Sequence, residues 1–312
     1  MVEFNTISFR DKAQKVIIDK ISRTAIELRF PSDKITFIQQ MITLSKLLMK
    51  YDFNISTTFR TIDEKAQDPT YFVATYFDTK DIQQALWVHR MVRLLARYIL
   101  VYDRYFETGK NRYANLAIKV RKSINKILEN EIDRHHLKYS IDLSLKQFWQ
   151  FWKFEKILKS RIIEGNTFSY NEIRNFNLFK SSDASLIYAR VLDAKLPSFS
   201  ENVSLVLHYN QALLDLMDDW QDIEEDVRGD MPNAFIMAAI ENVPYNIIKK
   251  YRGTKLRNII INSSLNSSDS PIIRLINEYH ASIKKIFIPS SLVFIKLVSD
   301  HHANALRQVI SS

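Results

Sequence analysis

The chain has no cysteine. That excludes a disulfide framework, a thiolate metal site and a cysteine nucleophile, and it makes a reducing cytoplasm the expected compartment. Four glycines and seven prolines in 312 residues are far too few for a turn-rich β architecture. No stretch alternates apolar and polar residues as a strand would. No uninterrupted apolar run approaches the roughly 20 residues of a membrane-spanning helix. The opening residues Met1-Val2-Glu3-Phe4-Asn5 lack the basic and apolar regions of a signal peptide. These absences together predict a soluble all-α protein with no transmembrane segment.

Aromatic residues are plentiful: 19 Phe, 14 Tyr and 4 Trp can build a large core and line a pocket. The net charge is +9, yet the basic residues are scattered and no zinc-finger, RNP or glycine-loop pattern occurs, so no nucleic-acid partner is expected. Apolar spacing of three and four predicts helices at 12–28 and 33–49, parted by Pro31. After an irregular 51–69, a helical stretch runs over 70–106 with a break near Asp78-Thr79-Lys80-Asp81, and Gly109 stops it. Helices follow at 113–129 and 143–163, the second closed by Gly165. The small residues of 180–185 predict a break between a short helix at 169–179 and another at 186–192, and Pro197 a further break. Downstream, helices are expected at 234–240, 244–251, 271–286 and 290–310, with 262–270 as a loop. No internal repeat or shift in composition divides the chain, so a single domain over 1–312 is expected.

One segment stands apart. Seven of the fourteen side chains from Leu213 to Asp226 are carboxylates, with no Lys or Arg among them until Arg228. At roughly 100° per residue, Asp215, Asp218, Asp219, Asp222, Glu225 and Asp226 share one face of a helix. Leu213, Leu216, Met217, Trp220, Ile223 and Val227 share the other. Gly229 and Pro232 then stop the helix. Like charges at this spacing repel, and the C-terminal end of a helix disfavours negative charge. A divalent cation held by carboxylate oxygens would relieve both costs, and Asp218, Asp222 and Asp226, one turn apart, form the ladder for it. His208, Gln211 and Asp215 continue the polar face upstream, as in a helix lining a cavity. A facing acidic helix would complete such a site. Asp103 and Glu107, four apart and shortly before Gly109, are the candidate pair, with Asp78 and Asp81 as rivals.

The run Asp218-Asp219-Trp220-Gln221-Asp222-Ile223-Glu224-Glu225-Asp226, followed by Arg228-Gly229-Asp230-Met231-Pro232-Asn233-Ala234-Phe235, resembles the second metal-binding motif of class I isoprenoid synthases. It is most similar to the bacterial large terpene synthases of the tetraprenyl-β-curcumene synthase type, and more distantly to squalene and phytoene synthases. The likeness is local. It implies a helical bundle of the class I terpenoid synthase type around a central apolar cavity. It also implies several Mg²⁺ ions, with Mn²⁺ as the alternative, that hold a prenyl diphosphate. Asp218, Asp222 and Asp226 would then be ligands, with Asp219 in place of Asp218 if the helix is rotated. Asp103 and Glu107 would supply the first helix, although the upstream half carries no Asp-Asp-x-x-Asp. Arg228, and after it Lys180 and Arg190, would add positive charge at the leaving group. Phe148, Trp149, Trp152 and Tyr76, among neighbouring aromatics, would face a carbocation. The implied reaction is ionisation of a linear prenyl diphosphate with cyclisation or elimination, a carbon–oxygen lyase activity. A prenyltransferase, head-to-head or chain-elongating, is the alternative, and a non-catalytic helical binding protein a third reading. A homodimer is left open.

Overall fold

In the computed structural model the protein is all-α, with fourteen α-helices and no strand among the described residues. Those residues are 9–27, 34–51, 62, 66, 69–131, 134–193, 201–265 and 270–311. The breaks expected at Pro31 and Pro197, and most of the irregular 51–69, lie outside them. The chain forms two compact units, one of residues 1–138 with 191–198, the other of 139–190 with 199–312.

In the first unit lie α1 (Phe9–Glu27), α2 (Lys34–Tyr51), α3 (Thr70–Thr79), α4 (Ile82–Thr108) and α5 (Asn111–Leu128). α1 pairs with α2, and α4 packs against both α3 and α5. The break expected near 78–81 is present and has a clear cause. Lys80 adopts the left-handed conformation (φ +56°) and donates its N–H to Tyr76 O, ending α3. Asp81 then accepts from the Gln83 and Gln84 N–H groups at 2.8 and 3.2 Å, starting α4. Gly109 (φ +64°) donates to Tyr105 O at 2.7 Å and closes α4, a conformation that costs glycine nothing.

The second unit holds most of α6 (Arg134–Ile163) and α7 (Tyr170–Asp193). It also holds α8 (Glu201–Gln221), α9 (Ile223–Gly229), α10 (Ala234–Ala239) and α11 (Tyr245–Ile248). Next come α12 (Gly253–Ser264), α13 (Pro271–Lys285), a 3₁₀ turn (Ser290–Leu292) and α14 (Phe294–Ser311). α8 is the spine, lying against α13 and α14, with its C-terminal end near α9 and α10. All six residues of α10 are buried, so it shows no face to solvent.

Three local expectations fail. α7 runs through 180–185 without a break, because the Ser181 hydroxyl bonds back to Asn177 O at 2.7 Å and is accommodated inside the helix. Part of the segment read as a Ser/Asn loop belongs to α12, where Ser263 and Ser264 likewise bond to Ile259 O and Ile260 O; residues 266–269 lie outside the described set. The acidic helix is not one piece: it divides at Asp222 into α8 and α9.

Candidate functional site

The division at Asp222 is a bend and not a rupture. Asp222 N–H still donates to Asp218 O, and Asp226 N–H to Asp222 O, each at 2.8 Å. The one-turn spacing of Asp218, Asp222 and Asp226 therefore survives the bend. α9 ends as expected at Gly229, but Asp230, not the glycine, takes the left-handed conformation (φ +57°) and donates its N–H to Asp226 O. Asp230 is held there by Lys249 Nζ at 2.5 Å and Tyr245 Oη at 2.9 Å. The carboxyl of Asp230 is itself lowered: burial opposes its charge, but these two donors outweigh that.

The acidic face does not lie uniformly at the surface. It separates into an inner edge of Asp215, Asp219 and Asp226 and an outer edge of Asp218, Asp222 and Glu225. Asp219 is 1% exposed and Asp215 is buried as well, Asp226 and Asp222 are both half-buried, and Asp218 and Glu225 are exposed, so Asp226 joins the inner edge by its partners. Each inner carboxylate has partners from other helices. Lys180 Nζ on α7 reaches Asp219 Oδ1 at 2.5 Å, and Ala234 N–H at the start of α10 donates to Asp219 Oδ2 at 2.8 Å. Asp215 lies 2.6 Å from Ser181 Oγ through Oδ2, and accepts from Gln211 Nε2 at 2.9 Å through Oδ1. Asn233 Nδ2 donates to Asp226 Oδ2 at 2.8 Å and to Asp219 O at 2.5 Å. The Asn233 oxygen accepts from Phe235 N–H at 2.9 Å and so caps α10.

These contacts leave the cluster short of positive charge. Burial pushes Asp226 up to about 7, with the neighbouring charges of Asp219 and Asp222 adding to it against the Asn233 hydrogen bond and Lys180. Burial likewise raises Asp215 to about 6, although Lys180 and Ser181 pull it down. Burial alone would lower Lys180, yet the carboxylates of Asp219 and Asp215 hold its ammonium well above the ordinary lysine range. Lys180 therefore stays charged, and it is the ammonium that contacts the inner edge. Asp218 and Asp222 form no ion pair among the described residues. The helix-end carbonyls are served separately. Arg257 donates to Trp220 O at 3.1 Å and Gln221 O at 3.3 Å, and Lys159 donates to Gly229 O at 2.7 Å.

The other sequence candidates fall as follows. Arg228, ranked first among the basic residues, is 65% exposed and pairs with Glu224 at 3.2 Å, so it is Lys180 that meets the carboxylates. The side chain of Arg190 lies outside the described residues. His208 donates from Nε2 to Leu178 O at 2.9 Å and so ties α8 to α7; burial lowers its pKa against that hydrogen bond. Gln211 and Asp215 do share one line, as their mutual bond records. Phe148 is buried; Trp149 and Trp152 are half-buried with ring centroids 6.4 Å apart, and Lys156 Nζ lies 3.9 Å over the Trp152 ring. Tyr76 belongs to the first unit, stacked on Phe72 with Lys80 over its ring.

Asp103 and Glu107 lie on α4 of the first unit, where Glu107 pairs with Arg104 at 2.7 Å. Of the rival pair, Asp81 is consumed as the N-cap of α4. Sequence reasoning missed Ser181, Asn233, Arg257 and Lys159. Only Asn233 carried a usable signal, as an N-cap residue type just before the apolar run Ala234–Ala239. It also missed that α4 buries His89, Arg93 and Arg97 at one-turn spacing, where burial and then the Arg97 charge lower Arg93 to about 10.

The donor set suits a hard divalent cation: oxygen ligands, excess negative charge, and no sulfur. Among the described residues no three carboxylates or imidazoles converge on one point. An ion here would take one or two carboxylates and complete its shell with water or phosphate, which is how Mg²⁺ is usually bound. No protein-family model matches the chain, and no curated protein matches its sequence.

Proposed function

We propose that the junction of α8 and α9 binds Mg²⁺ and, with it, the diphosphate of a linear prenyl substrate, so that the chain acts as a class I terpene synthase. One observation carries this reading: the carboxylates at the junction are under-neutralised, and Asp226 is driven up to about 7 by burial and its acidic neighbours. A cation held by one or two of Asp218, Asp222 and Asp226, with water or phosphate completing its shell, would relieve that charge. When bound, it would neutralise charge developing on a departing diphosphate. The chain's own groups have separable tasks. Asp218 and Asp222 offer the outer oxygens, and Asn233 fixes the direction of Asp226. Lys180 keeps its proton and adds a fixed positive charge beside the inner edge.

The test is diphosphate release from farnesyl, geranylgeranyl and longer prenyl diphosphates with and without Mg²⁺. The variant Asp218→Ala/Asp222→Ala is expected to lose about a hundredfold or more of the Mg²⁺-dependent rate, several kcal/mol of transition-state stabilisation, while its melting temperature changes little. Release that continues unchanged in this variant overturns the assignment. Product analysis separates the lyase, which gives a cyclised or eliminated hydrocarbon, from a prenyltransferase, which gives a longer or doubled chain.

A further inference from the structure

A second surface, remote in sequence from the acidic junction, has chemistry of its own. Between α13 and the 3₁₀ turn the chain passes through Ile286-Phe287-Ile288-Pro289. Phe287 is 81% exposed, the most exposed large apolar side chain among the described residues. The loop around it is firmly held. Ile288 and Leu292 are buried, and Lys296 Nζ donates to Lys284 O at 3.1 Å and Ile286 O at 2.5 Å. The loop thus holds Phe287 outward beside the buried Ile288. Val293, one turn further on, is 39% exposed.

Along the chain on either side of this tip the charge has one sign. Lys284 and Lys285 are exposed in the last turn of α13, and Lys296 is tied to the base of the loop. From Tyr279 to Ser299 the sequence holds these three lysines and no Asp or Glu. Neither Lys284 nor Lys285 forms an ion pair among the described residues. An exposed aromatic ring flanked by ammonium groups on flexible stems matches a lipid interface, where the ring enters the headgroup–acyl boundary and the ammoniums meet anionic headgroups.

We propose that the 286–289 loop is a membrane-docking element: Phe287 enters the interface of an anionic lipid surface while Lys284 and Lys285 lie against its headgroups. One ring alone gives only marginal, reversible attachment, and the basic patch supplies the second contribution. The charge complementarity singles out anionic over neutral lipid. The proposal goes beyond the reaction at the acidic junction and does not depend on it.

The experiment is co-sedimentation of the full chain with vesicles of phosphatidylcholine mixed with phosphatidylglycerol, against vesicles of phosphatidylcholine alone. Binding is expected to the mixed vesicles only and to weaken as salt is raised. Phe287→Ser should weaken it roughly tenfold or more, by loss of a buried ring. Lys284→Gln/Lys285→Gln should weaken it roughly 25-fold, about fivefold for each lysine. These side chains are exposed, so the variants should keep the parent's circular dichroism and melting temperature. Failure to bind the mixed vesicles overturns the proposal. So does binding that survives Phe287→Ser unchanged, which would mean adsorption by net charge alone. Capture of soluble polyglutamate through Lys284 and Lys285 without vesicle binding would assign the surface to an acidic protein and overturn it as well.

Discussion

Two acidic helix ends can be set side by side. Asp103 and Glu107 stand four residues apart near the end of α4, closed by a left-handed Gly109. Asp218, Asp222 and Asp226 stand at the same spacing across α8 and α9, closed by a left-handed Asp230. In sequence the two places are versions of one pattern. In the folded chain they differ in kind. Glu107 pairs with the nearby Arg104 three residues before it, with both side chains about a third exposed. At the α8–α9 junction Asp218 and Asp222 stay on the outer edge, while Asp215, Asp219 and Asp226 bond to Ser181 and Lys180 of α7 and to Asn233 and Ala234 at the start of α10. Spacing says where carboxylates can line up; burial decides whether their charge costs anything, and so whether a cation has anything to relieve.

The largest effect that would separate the two places is on stability. Asp219→Ala leaves the Lys180 ammonium without its closest carboxylate and removes the acceptor of Ala234 N–H. It should cost about 3–5 kcal/mol in urea unfolding, the range for breaking a buried pair. A cost near zero would mean that the inner edge is as loosely held as the surface pair.

The next effect is on pH dependence. Asp226 at about 7 and Asp215 at about 6 both bind protons more tightly in the folded chain than the ordinary carboxyl at 3.8. Between those values the folded state carries the extra protons, so stability should fall as pH rises from about 4 through about 7. Melting temperature followed across that range checks the sign. Asp226→Asn should flatten the slope, and Mg²⁺ with inorganic diphosphate should offset it at the alkaline end. A rise in stability over the same window would contradict the burial argument.

The smallest effect belongs to α4. Glu107→Ala should change stability by less than about 1 kcal/mol, as for exposed ion pairs. That makes it a clean probe of chemistry: Mg²⁺-dependent diphosphate release by Glu107→Ala reports whether this carboxylate takes any part in the reaction. Full activity in Glu107→Ala and Asp103→Ala would confine the site to the junction.

Much of this was legible before the fold was known, and the exceptions have physical causes. Few glycines and prolines with apolar spacing of three and four were enough for the all-α class. The joint at Lys80 and Asp81 was readable because it is local: a cap needs only its neighbours. The acidic segment was readable as an electrostatic anomaly for the same reason. Its inner partners were not. Ser181 looked like part of a break because serine is a mediocre helix former, and only the packed structure explains its place beside Asp215. Lys180 ranked below Arg228 because adjacency in sequence favoured the arginine, whereas contact is made across helices. The separation of one acidic face into inner and outer edges depends on α7 and α10 covering one side, which no periodicity encodes.

Helix α10 has a consequence for how the protein comes to exist. Six residues with no solvent-facing side cannot hold a helix alone, since isolated helices shorter than roughly 12–15 residues are marginal in water. Its first turn is begun by Asn233, and Asn233 is oriented by groups on α8 and α9. The junction and α10 therefore depend on each other, each completing contacts that the other needs. During synthesis the carboxylates would remain ordinary solvated acids until residues beyond 233 have left the ribosome and packed. Whatever the junction binds, it is a capacity that depends on α10 being packed.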